Sequence, residues 1–358
     1  MDKPYLGQSC LEQGYLARYL AQQILPEIGK IGQDKLMASK VLVVGCGGLA
    51  ASALTYLTAA GVGELTLIDD DVVELGNLNR QILFTEADVG QNKAESAKLR
   101  LSQQNQHVKI NAITQKFNLA NGLSLVNCHD LVLDCSDAYS SKLAINYCCS
   151  LTRKPWVYAS VLGWDGQAAL LTLHNRHAPC YKCWQESAPH GLRNCEANGV
   201  LGAAVSTVGS HQAGLALQYL LGYLHNANCL WVFDLWAMEQ KKFQLSKRHN
   251  CKFHSDKLEN LPFCSYEELR LWDEYILLDI RSGDEWDIGH LPQARHVSPG
   301  ILMEVEKYYK TTQNLVIYCN QNTLSQLVVE NLRNLGYRAF VLDGGYQAYA
   351  HLAVRKLD

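Results

Sequence analysis

The first candidate for chemistry in this sequence is a glycine-rich loop. In "VLVVGCGGLA" a run of β-branched residues leads into Gly45, Gly47 and Gly48, and an alanine-rich helical pattern follows. Such glycines let a backbone approach phosphates closely, and the helix N-terminus faces the negative charge. In "ELTLIDDD", Asp69 to Asp71 follow at the spacing expected for acids that contact ribose. Loop and acids alone fit either a nicotinamide dinucleotide or ATP.

The polar residues that follow favour ATP. Two amides and two cations come next: Asn77, Arg80, Gln81 and Lys93. Two cations beside one loop suit a triphosphate better than a pyrophosphate that backbone amides already satisfy. Asp134 and Asp137 follow the fourth predicted strand, at the sheet edge where open α/β sheets bind ligands. A carboxylate there could hold Mg²⁺ on the phosphates.

A second set of residues has the spacing of metal ligands. Cys180 and Cys183 form a CxxC knuckle in "CYKC", and "CKFH" supplies Cys251 and His254. Three thiolates and one imidazole suit a closed, tetrahedral structural Zn²⁺ site. A redox-active CxxC would need a thioredoxin-like context, which the flanking sequence lacks. For the fourth ligand we favour His254, and His249 is the alternative.

The pattern of elements predicts an α/β protein with two units. From residue 41 to about 175, short β-like runs alternate with helical stretches, which indicates a mainly parallel, Rossmann-like sheet covered by helices. "GQAALLTLH" predicts antiparallel strands, and a second, smaller α/β unit begins after a polar segment. We predict domains at 1–255 and 265–358, joined by a linker at 256–264.

Composition excludes several classes of protein. The 358 residues carry a formal net charge of −3, which argues against nucleic acid as an obligate partner. No apolar run is long enough for a membrane span, and the N-terminus has no signal-peptide pattern, so we expect a cytoplasmic protein. In that compartment the 13 cysteines should be reduced thiols, metal ligands or catalysts.

The ordered motifs make the first unit recognisable. "GCGGLA…GVGELTLIDDDVVELGNLNRQILF…VGQNKAESA…DLVLDCSDA" resembles the MoeB/ThiF adenylyltransferases, relatives of ubiquitin-activating enzymes. The resemblance implies binding of ATP–Mg²⁺, adenylation of the C-terminal glycine of a ubiquitin-like sulfur carrier of the MoaD/ThiS type, and a homodimer. It implies catalytic roles for Arg80, Lys93 and Asp137, with Asp137 as the metal-binding acid. The nucleotide site it implies comprises Gly45, Gly47, Gly48, Asp69, Asp71, Asn77, Arg80, Gln81, Lys93 and Asp137.

Two positions depart from the family pattern. The family's "RYxRQ" is "RYLAQ" here, so Arg18 is kept and Ala21 replaces an arginine that in relatives reaches ATP in the neighbouring subunit. The family's usual "SDN" is Ser136-Asp137-Ala138 here, so Ala138 replaces an asparagine beside the metal-binding acid. These departures favour an alternative hypothesis, a module that binds a carrier or partner without adenylating it. An NAD oxidoreductase would leave the zinc ligands and the second unit unexplained.

The second unit resembles a rhodanese domain. "ILLDIRSGDEWDIGHLPQARHVSP" and "LVIYCNQNTLSQLVVENLRNLGYRAFVLDGG" carry the resemblance, and the expected nucleophile is Cys319, after a strand and before a helix. Backbone N–H groups and the helix dipole there would stabilise a thiolate, which could carry sulfur as a persulfide. The loop "CNQNTLS" lacks the usual arginine, so anionic thiosulfate should bind weakly; a persulfide-carrying protein such as a cysteine desulfurase, or a degenerate sulfur site, fits this loop equally well. By resemblance, Cys195 forms a covalent link to the carrier during sulfur transfer.

Together these motifs predict an adenylyltransferase that also transfers sulfur. The first unit would adenylate the carrier, and Cys319 would deliver sulfur to give a thiocarboxylate. Such a product serves molybdopterin, thiamine or thiolated-tRNA synthesis.

Overall fold

The structure is a computed structural model of the whole chain. It describes residues 10–173, 178–185, 199–248, 251, 261–281, 283–297, 308–320 and 323–352. Cys195, His249 and His254, three residues with predicted roles, lie outside the described residues. Among those that are described, no helix is both long and apolar enough to cross a membrane.

The first unit alternates helices and strands, as the sequence pattern predicts. Its elements, in chain order, are α1 (Cys10–Gln23), α2 (Gly29–Ala38), β1 (Lys40–Val44), α3 (Gly48–Ala60), β2 (Glu64–Ile68), α4 (Lys93–Gln104), β3 (Lys109–Ile113), α5 (Leu119–Asn127), β4 (Leu131–Asp134), α6 (Tyr139–Thr152), β5 (Trp156–Leu162), β6 (Asp165–Leu171), α7 (Tyr181–Trp184), α8 (Gly202–Leu221), β7 (Cys229–Asp234) and β8 (Glu239–Gln244).

The strands of the first unit form one eight-stranded sheet in the order β3-β2-β1-β4-β5-β6-β7-β8. The pairs from β3 to β5 are parallel, and those from β5 to β8 are antiparallel. Because β1, β2 and β4 are parallel neighbours, their carboxyl ends lie at one edge of the sheet. The glycine loop, the acids after β2 and the Asp134–Asp137 segment therefore meet at that edge.

Continuous apolar sequences explain why the central strands of this sheet are buried. Val41, Leu42 and Val43 of β1 are fully buried, as expected for a strand covered on both faces. One core cluster packs α3 and α8 against one face. A second cluster packs α5 and α6 against the other face. The core therefore holds the ends of β1, β2 and β4 rigidly relative to one another.

The second unit contains a smaller sheet. Its elements are β9 (Phe263–Cys264), α9 (Tyr266–Leu269), β10 (Ile276–Asp279), α10 (Gly283–Ile288), β11 (Arg295–His296), β12 (Asn314–Tyr318), α11 (Thr323–Asn334), β13 (Arg338–Leu342) and α12 (Gly345–Tyr349). The order is β11-β10-β12-β13-β9, and every pair is parallel. The predicted fold class, two α/β units with a mainly parallel larger sheet, is confirmed. β9 lies inside the segment 256–264 that we predicted as a linker, so pairing in this sheet begins at Phe263.

Candidate functional site

The glycine loop joins β1 to α3, and a different physical reason explains the glycine at each of its three positions. Gly45 has φ +89°, and a Cβ there would lie 2.9 Å from the carbonyl oxygen of Cys135, in the segment after β4. At Gly48 a Cβ would lie 2.7 Å from Val205 Cγ1 of α8. At Gly47 the only neighbour within 4 Å among the described residues would be Gln81 Nε2, at 3.8 Å. Gly45 and Gly48 are thus required by packing, whereas Gly47 faces open space in which a ligand can approach.

The acids after β2 organise the neighbouring segment. The Asp69 carboxylate accepts hydrogen bonds from the N–H groups of Cys46 in the glycine loop (2.6 Å) and Asp71 (2.8 Å). Burial raises the pKa of the Asp69 carboxyl above its ordinary value, although these N–H groups partly offset the effect. Asp71 forms an ion pair with Lys93, with Nζ and Oδ2 3.0 Å apart. The structure thus brings Asp69, Asp71 and Lys93 together beside the loop.

Lys93 is held at this edge by the start of α4. Asn92 caps the helix by accepting hydrogen bonds from the N–H groups of Ala94 and Glu95, and its amide donates to the carbonyl oxygens of Asp69 and Asp71. The Lys93 side chain is only 9% exposed, whereas that of Asp71 is 68% exposed. A largely desolvated ammonium beside a glycine loop is a strong electrostatic partner for an anionic group.

The segment Asn77–Gln81 supplies amides and a guanidinium. Gln81 is buried, and its Nε2 donates to Asn77 Oδ1 at 2.7 Å. Its Oε1 is also buried and accepts no hydrogen bond from the described residues. Arg80 Nη1 donates within its own segment, to the Gly76 carbonyl oxygen (2.9 Å) and Asn79 Oδ1 (3.0 Å). Arg80 thus lies near the loop but bonds to its own segment.

The two acids after β4 have opposite surroundings. Asp134 is completely buried and pairs with Lys142 of α6, whose Nζ lies 2.8 Å from Oδ2. Asp137 is exposed, and its carboxylate has no hydrogen bond or ion pair in the described part of the chain. Asp137 is therefore the acid available to a ligand, and Asp134 is a structural partner. Sequence reasoning missed Lys142, since nothing in "SSKLAIN" indicates that this lysine is buried.

Three of the four predicted metal ligands lie together. Cys180 Sγ is 3.9 Å from Cys183 Sγ and 3.6 Å from Cys251 Sγ. All three sulfur atoms lie within 4.8 Å of one another, although Cys251 is distant in sequence. The neighbouring thiols, and then burial, raise the pKa of Cys180 well above its ordinary value. Three crowded thiols fit Zn²⁺, because a divalent cation stabilises the thiolates that otherwise repel one another.

Cys319 lies at the carboxyl end of β12 in the second unit. It is buried, and its Sγ accepts a hydrogen bond from the N–H group of Ser325 (3.4 Å), near the start of α11. The Cys319 carbonyl oxygen accepts a hydrogen bond from the N–H group of Tyr346 (2.7 Å). Gly345 has φ +57°, and a Cβ there would meet the same carbonyl oxygen at 2.5 Å. The sulfur thus lies where a backbone N–H group can stabilise negative charge.

Polar pairs hold the segments around Cys319. The Arg281 guanidinium binds the buried Asp279 carboxylate through Nε and Nη2 and lies 3.6 Å from the centre of the Tyr346 ring. The neighbouring Asn320 amide donates to the Glu285 carboxylate of α10. The Asp-x-Arg motif therefore positions the loop and leaves Arg281 already paired, so it is not a free anion-binding cation.

Comparisons with known proteins decide the family. A family model described as the ThiF family matches residues 19–253. The chain belongs to the ThiF family. A second model, described as a rhodanese-like domain, matches residues 266–352. The ThiF and rhodanese resemblances predicted from the motifs are thus confirmed.

Similar proteins span both units of this ThiF-family chain. The adenylyltransferase and sulfurtransferase MOCS3 of Drosophila ananassae is 35% identical, over 94% of this chain and 83% of that protein. MOCS3 of Xenopus laevis is 31% identical, over 97% of this chain and 89% of its own length. The two-unit arrangement is therefore shared with proteins named for both activities.

Solved structures share the ThiF-family fold. E. coli MccB with succinimide superposes with a TM-score of 0.58 at 23% identity, covering 67% of this chain and 74% of MccB. A structure of PaaA gives a TM-score of 0.57 at 22% identity, covering 69% of this chain and 78% of PaaA. At these identities the likeness concerns the fold alone.

Proposed function

We propose that this protein uses ATP to adenylate the C-terminal glycine of a ubiquitin-like sulfur carrier and then transfers sulfur to it. The observation that supports the first step most directly is the largely buried Lys93 ammonium beside the glycine loop and Asp69. The name of the relatives, adenylyltransferase and sulfurtransferase, supports both steps. We assign residues 1–255 to adenylation and residues 265–358, together with the β9 residues Phe263 and Cys264, to sulfur transfer.

Adenylation joins two anions, so positive charge and positioning must supply the catalysis. A carrier carboxylate oxygen attacks the α-phosphorus, a new P–O bond forms, and the bond to pyrophosphate breaks. Lys93 and Arg80 would stabilise the charge that develops on the phosphates. Gly47 leaves room for the phosphates, and Asp69 would accept hydrogen bonds from ribose. The fixed orientation of both reactants replaces a protein nucleophile.

Asp137 is the candidate for holding Mg²⁺. Its exposed carboxylate has no partner in the described part of the chain, and oxygen ligands from one carboxylate plus substrate phosphates are typical of Mg²⁺. When bound there, the ion would offset the charge of the phosphates. Gln81 Oε1, buried without a donor among the described residues, offers an acceptor close to the loop.

Zinc would bind the Cys180–Cys183–Cys251 cluster and stabilise the fold near the site. We assign the fourth position to His254, with His249 as the alternative. The cluster packs beside an aromatic group in which the rings of Tyr158 and Tyr181 lie 5.3 Å apart. A closed set of four ligands leaves no position for substrate, so the ion would have a structural role.

Cys319 would carry the sulfur that reaches the carrier. The terminal sulfur of a Cys319 persulfide attacks the acyl carbon of the adenylate, a C–S bond forms, and AMP leaves. A second thiol, for which Cys195 is the candidate, then attacks the acyl-bearing sulfur, so that a disulfide link between Cys195 and the carrier forms and the Cys319 thiol leaves. A cellular thiol attacks Cys195 Sγ, which releases the carrier thiocarboxylate and leaves a mixed disulfide on Cys195 that a second cellular thiol reduces. A cysteine desulfurase is the class of donor that would supply the persulfide.

The test is ATP–pyrophosphate exchange with candidate ubiquitin-like carriers from the same organism. We expect exchange with at least one carrier, and a loss of about 100-fold or more in Asp137→Ala, as when other electrostatic groups at active sites are removed. Asp34→Ala, which removes an exposed acid of α2, is the matched control and should retain wild-type exchange.

The result also separates the two candidate functions. Saturable carrier binding without exchange, in folded and zinc-loaded protein, would favour a binding module that does not adenylate. Ala21 and Ala138, which replace polar family residues, are the observations that favour that alternative. Gel filtration of the same samples tests the homodimer that we propose.

A further inference from the structure

A buried lysine fixes the segment that carries Asp137. The Lys142 side chain is 4% exposed, and its Nζ donates three hydrogen bonds of 2.8 Å. The acceptors are Asp134 Oδ2, the carbonyl oxygen of Ser136 and the carbonyl oxygen of Ala159. An ammonium has three donor positions, and all three are used. Lys142 thus ties α6 to the end of β4, to the loop after it and to β5.

The bonds made by Asp134 extend this arrangement. Its Oδ1 accepts hydrogen bonds from Ser136 N–H (3.1 Å) and Ser136 Oγ–H (2.6 Å). On the opposite face of the sheet, the fully buried Gln212 of α8 donates from Nε2 to the Asp134 carbonyl oxygen (2.8 Å) and to that of Val157 (3.0 Å). The residue before Asp137 is therefore held through its backbone and its side chain.

By contrast, Asp137 and Ala138 do little to fix the loop themselves. Ala138 is the N-cap of α6 and makes no side-chain capping bond, and the Asp137 carboxylate has no partner among the described residues. An N-cap with a side-chain acceptor would normally fix such a helix start. The nearest strong anchor is Lys142, one helical turn inside α6, whose Nζ binds the carbonyl oxygen directly before Asp137.

We propose that Lys142 is a positioning residue for Asp137. Through Asp134 and Ser136 it holds the loop so that the exposed Asp137 carboxylate faces the sheet edge where the glycine loop lies. The inference rests on the proposed function, in which Asp137 acts on ATP. A displacement of about 1 Å in such a group costs up to about 100-fold in rate. Nucleotide affinity should change little, because the glycine loop, Asp69 and Lys93 supply the other contacts.

The experiment compares Lys142→Met, Lys142→Arg and a control, Val126→Ala, in the full chain. Val126 is fully buried in α5, so its truncation destabilises the same unit without touching the loop. Pyrophosphate exchange gives kcat and the KM for ATP, and hydrogen–deuterium exchange gives the protection of the 135–139 amides. For Lys142→Met we expect kcat to fall about 10- to 100-fold, with KM changed less than about threefold. The loop amides should exchange at least about tenfold faster, and Lys142→Arg should restore much of both.

Rate and loop protection must fall together for the proposal to hold. It is overturned if Lys142→Met loses rate with the loop still protected, or loosens the loop at unchanged rate, or changes neither. It is also overturned if Val126→Ala lowers kcat equally, since the effect would then be general destabilisation. If the wild-type protein shows no pyrophosphate exchange, only the proposed function is contradicted, because hydrogen–deuterium exchange still reports whether Lys142 holds the loop.

Discussion

Substitution by alanine should have different effects at two glycines of the nucleotide loop: it should lower stability at Gly45 and weaken ATP binding at Gly47. Gly45→Ala places a Cβ on a residue with φ +89° and 2.9 Å from the Cys135 carbonyl oxygen. The left-handed conformation costs about 1–2 kcal/mol, and the close contact adds about 1–2 kcal/mol more. A loss of about 3 kcal/mol lowers the Tm of a unit of this size by about 6–12 °C.

Gly47→Ala should leave the fold nearly unchanged and weaken ATP binding. Gly47 has an ordinary extended conformation, φ −83°, and of the residues that the structure describes its Cβ would meet only Gln81, whose Nε2 lies at 3.8 Å. As an N-cap, alanine is worse than glycine by less than about 1 kcal/mol. The new methyl group occupies the open space that the phosphates need, so we expect the Kd for ATP to rise about tenfold or more, which is about 1.4 kcal/mol.

Thermal unfolding and calorimetric titration with ATP measure both effects on the same samples. Gly48→Ala, whose Cβ would contact Val205 of α8, provides an internal comparison and should resemble Gly45→Ala in stability. A Tm of Gly47→Ala as low as that of Gly45→Ala would contradict this prediction. So would a stable Gly47→Ala variant that binds ATP like the wild type, because the open space would then hold no phosphate.

Three further predictions concern the cysteines and the buried ion pair. Cys251→Ser should lower bound zinc well below one equivalent per chain, measured by plasma emission spectrometry, and should lower the Tm, because one thiolate ligand is lost. Cys319→Ser should retain pyrophosphate exchange and abolish thiocarboxylate formation, followed by mass spectrometry of the carrier; loss of both activities would contradict the separation of roles. Lys142→Met should lower the free energy of unfolding in urea by about 3–5 kcal/mol, since it leaves the Asp134 carboxylate buried and unpaired. The double variant with Asp134→Leu should recover most of that loss, and a double variant as unstable as Lys142→Met would contradict this explanation.

Much of the larger sheet could be predicted from the sequence because its signals are local. The apolar run of β1 and the glycines after it predict a strand, a tight turn and a helix, all of which are present. α4 is one of the helical stretches that alternate with the predicted strands, and its cap Asn92 lies directly before it. The cysteine cluster was also predictable, because the CxxC spacing of Cys180 and Cys183 is typical of zinc ligands.

The buried polar contacts could not be predicted, because their partners are distant in sequence. Lys142 has the sequence neighbours of an exposed helical lysine, and only the fold brings Ala159 and Asp134 to its ammonium. Gln212 is similar, since its acceptors lie 55 and 78 positions away. The β9 strand escaped prediction for another reason. Two residues give no periodicity, and pairing with β13 alone defines the strand.

The last strand of the larger sheet has consequences for how the protein behaves at high concentration. Among the described residues β8 pairs only with β7, and all six residues of β8 are exposed. A bare strand edge is a template on which another chain can add a strand and begin to aggregate. Lys241 and Lys242 place positive charge along this edge, and a second copy arriving in register would bring the same charges opposite them. The two lysines of "EQKKFQ" therefore protect this edge against the addition of another strand. Neutralising both should make the protein more prone to form β-rich aggregates.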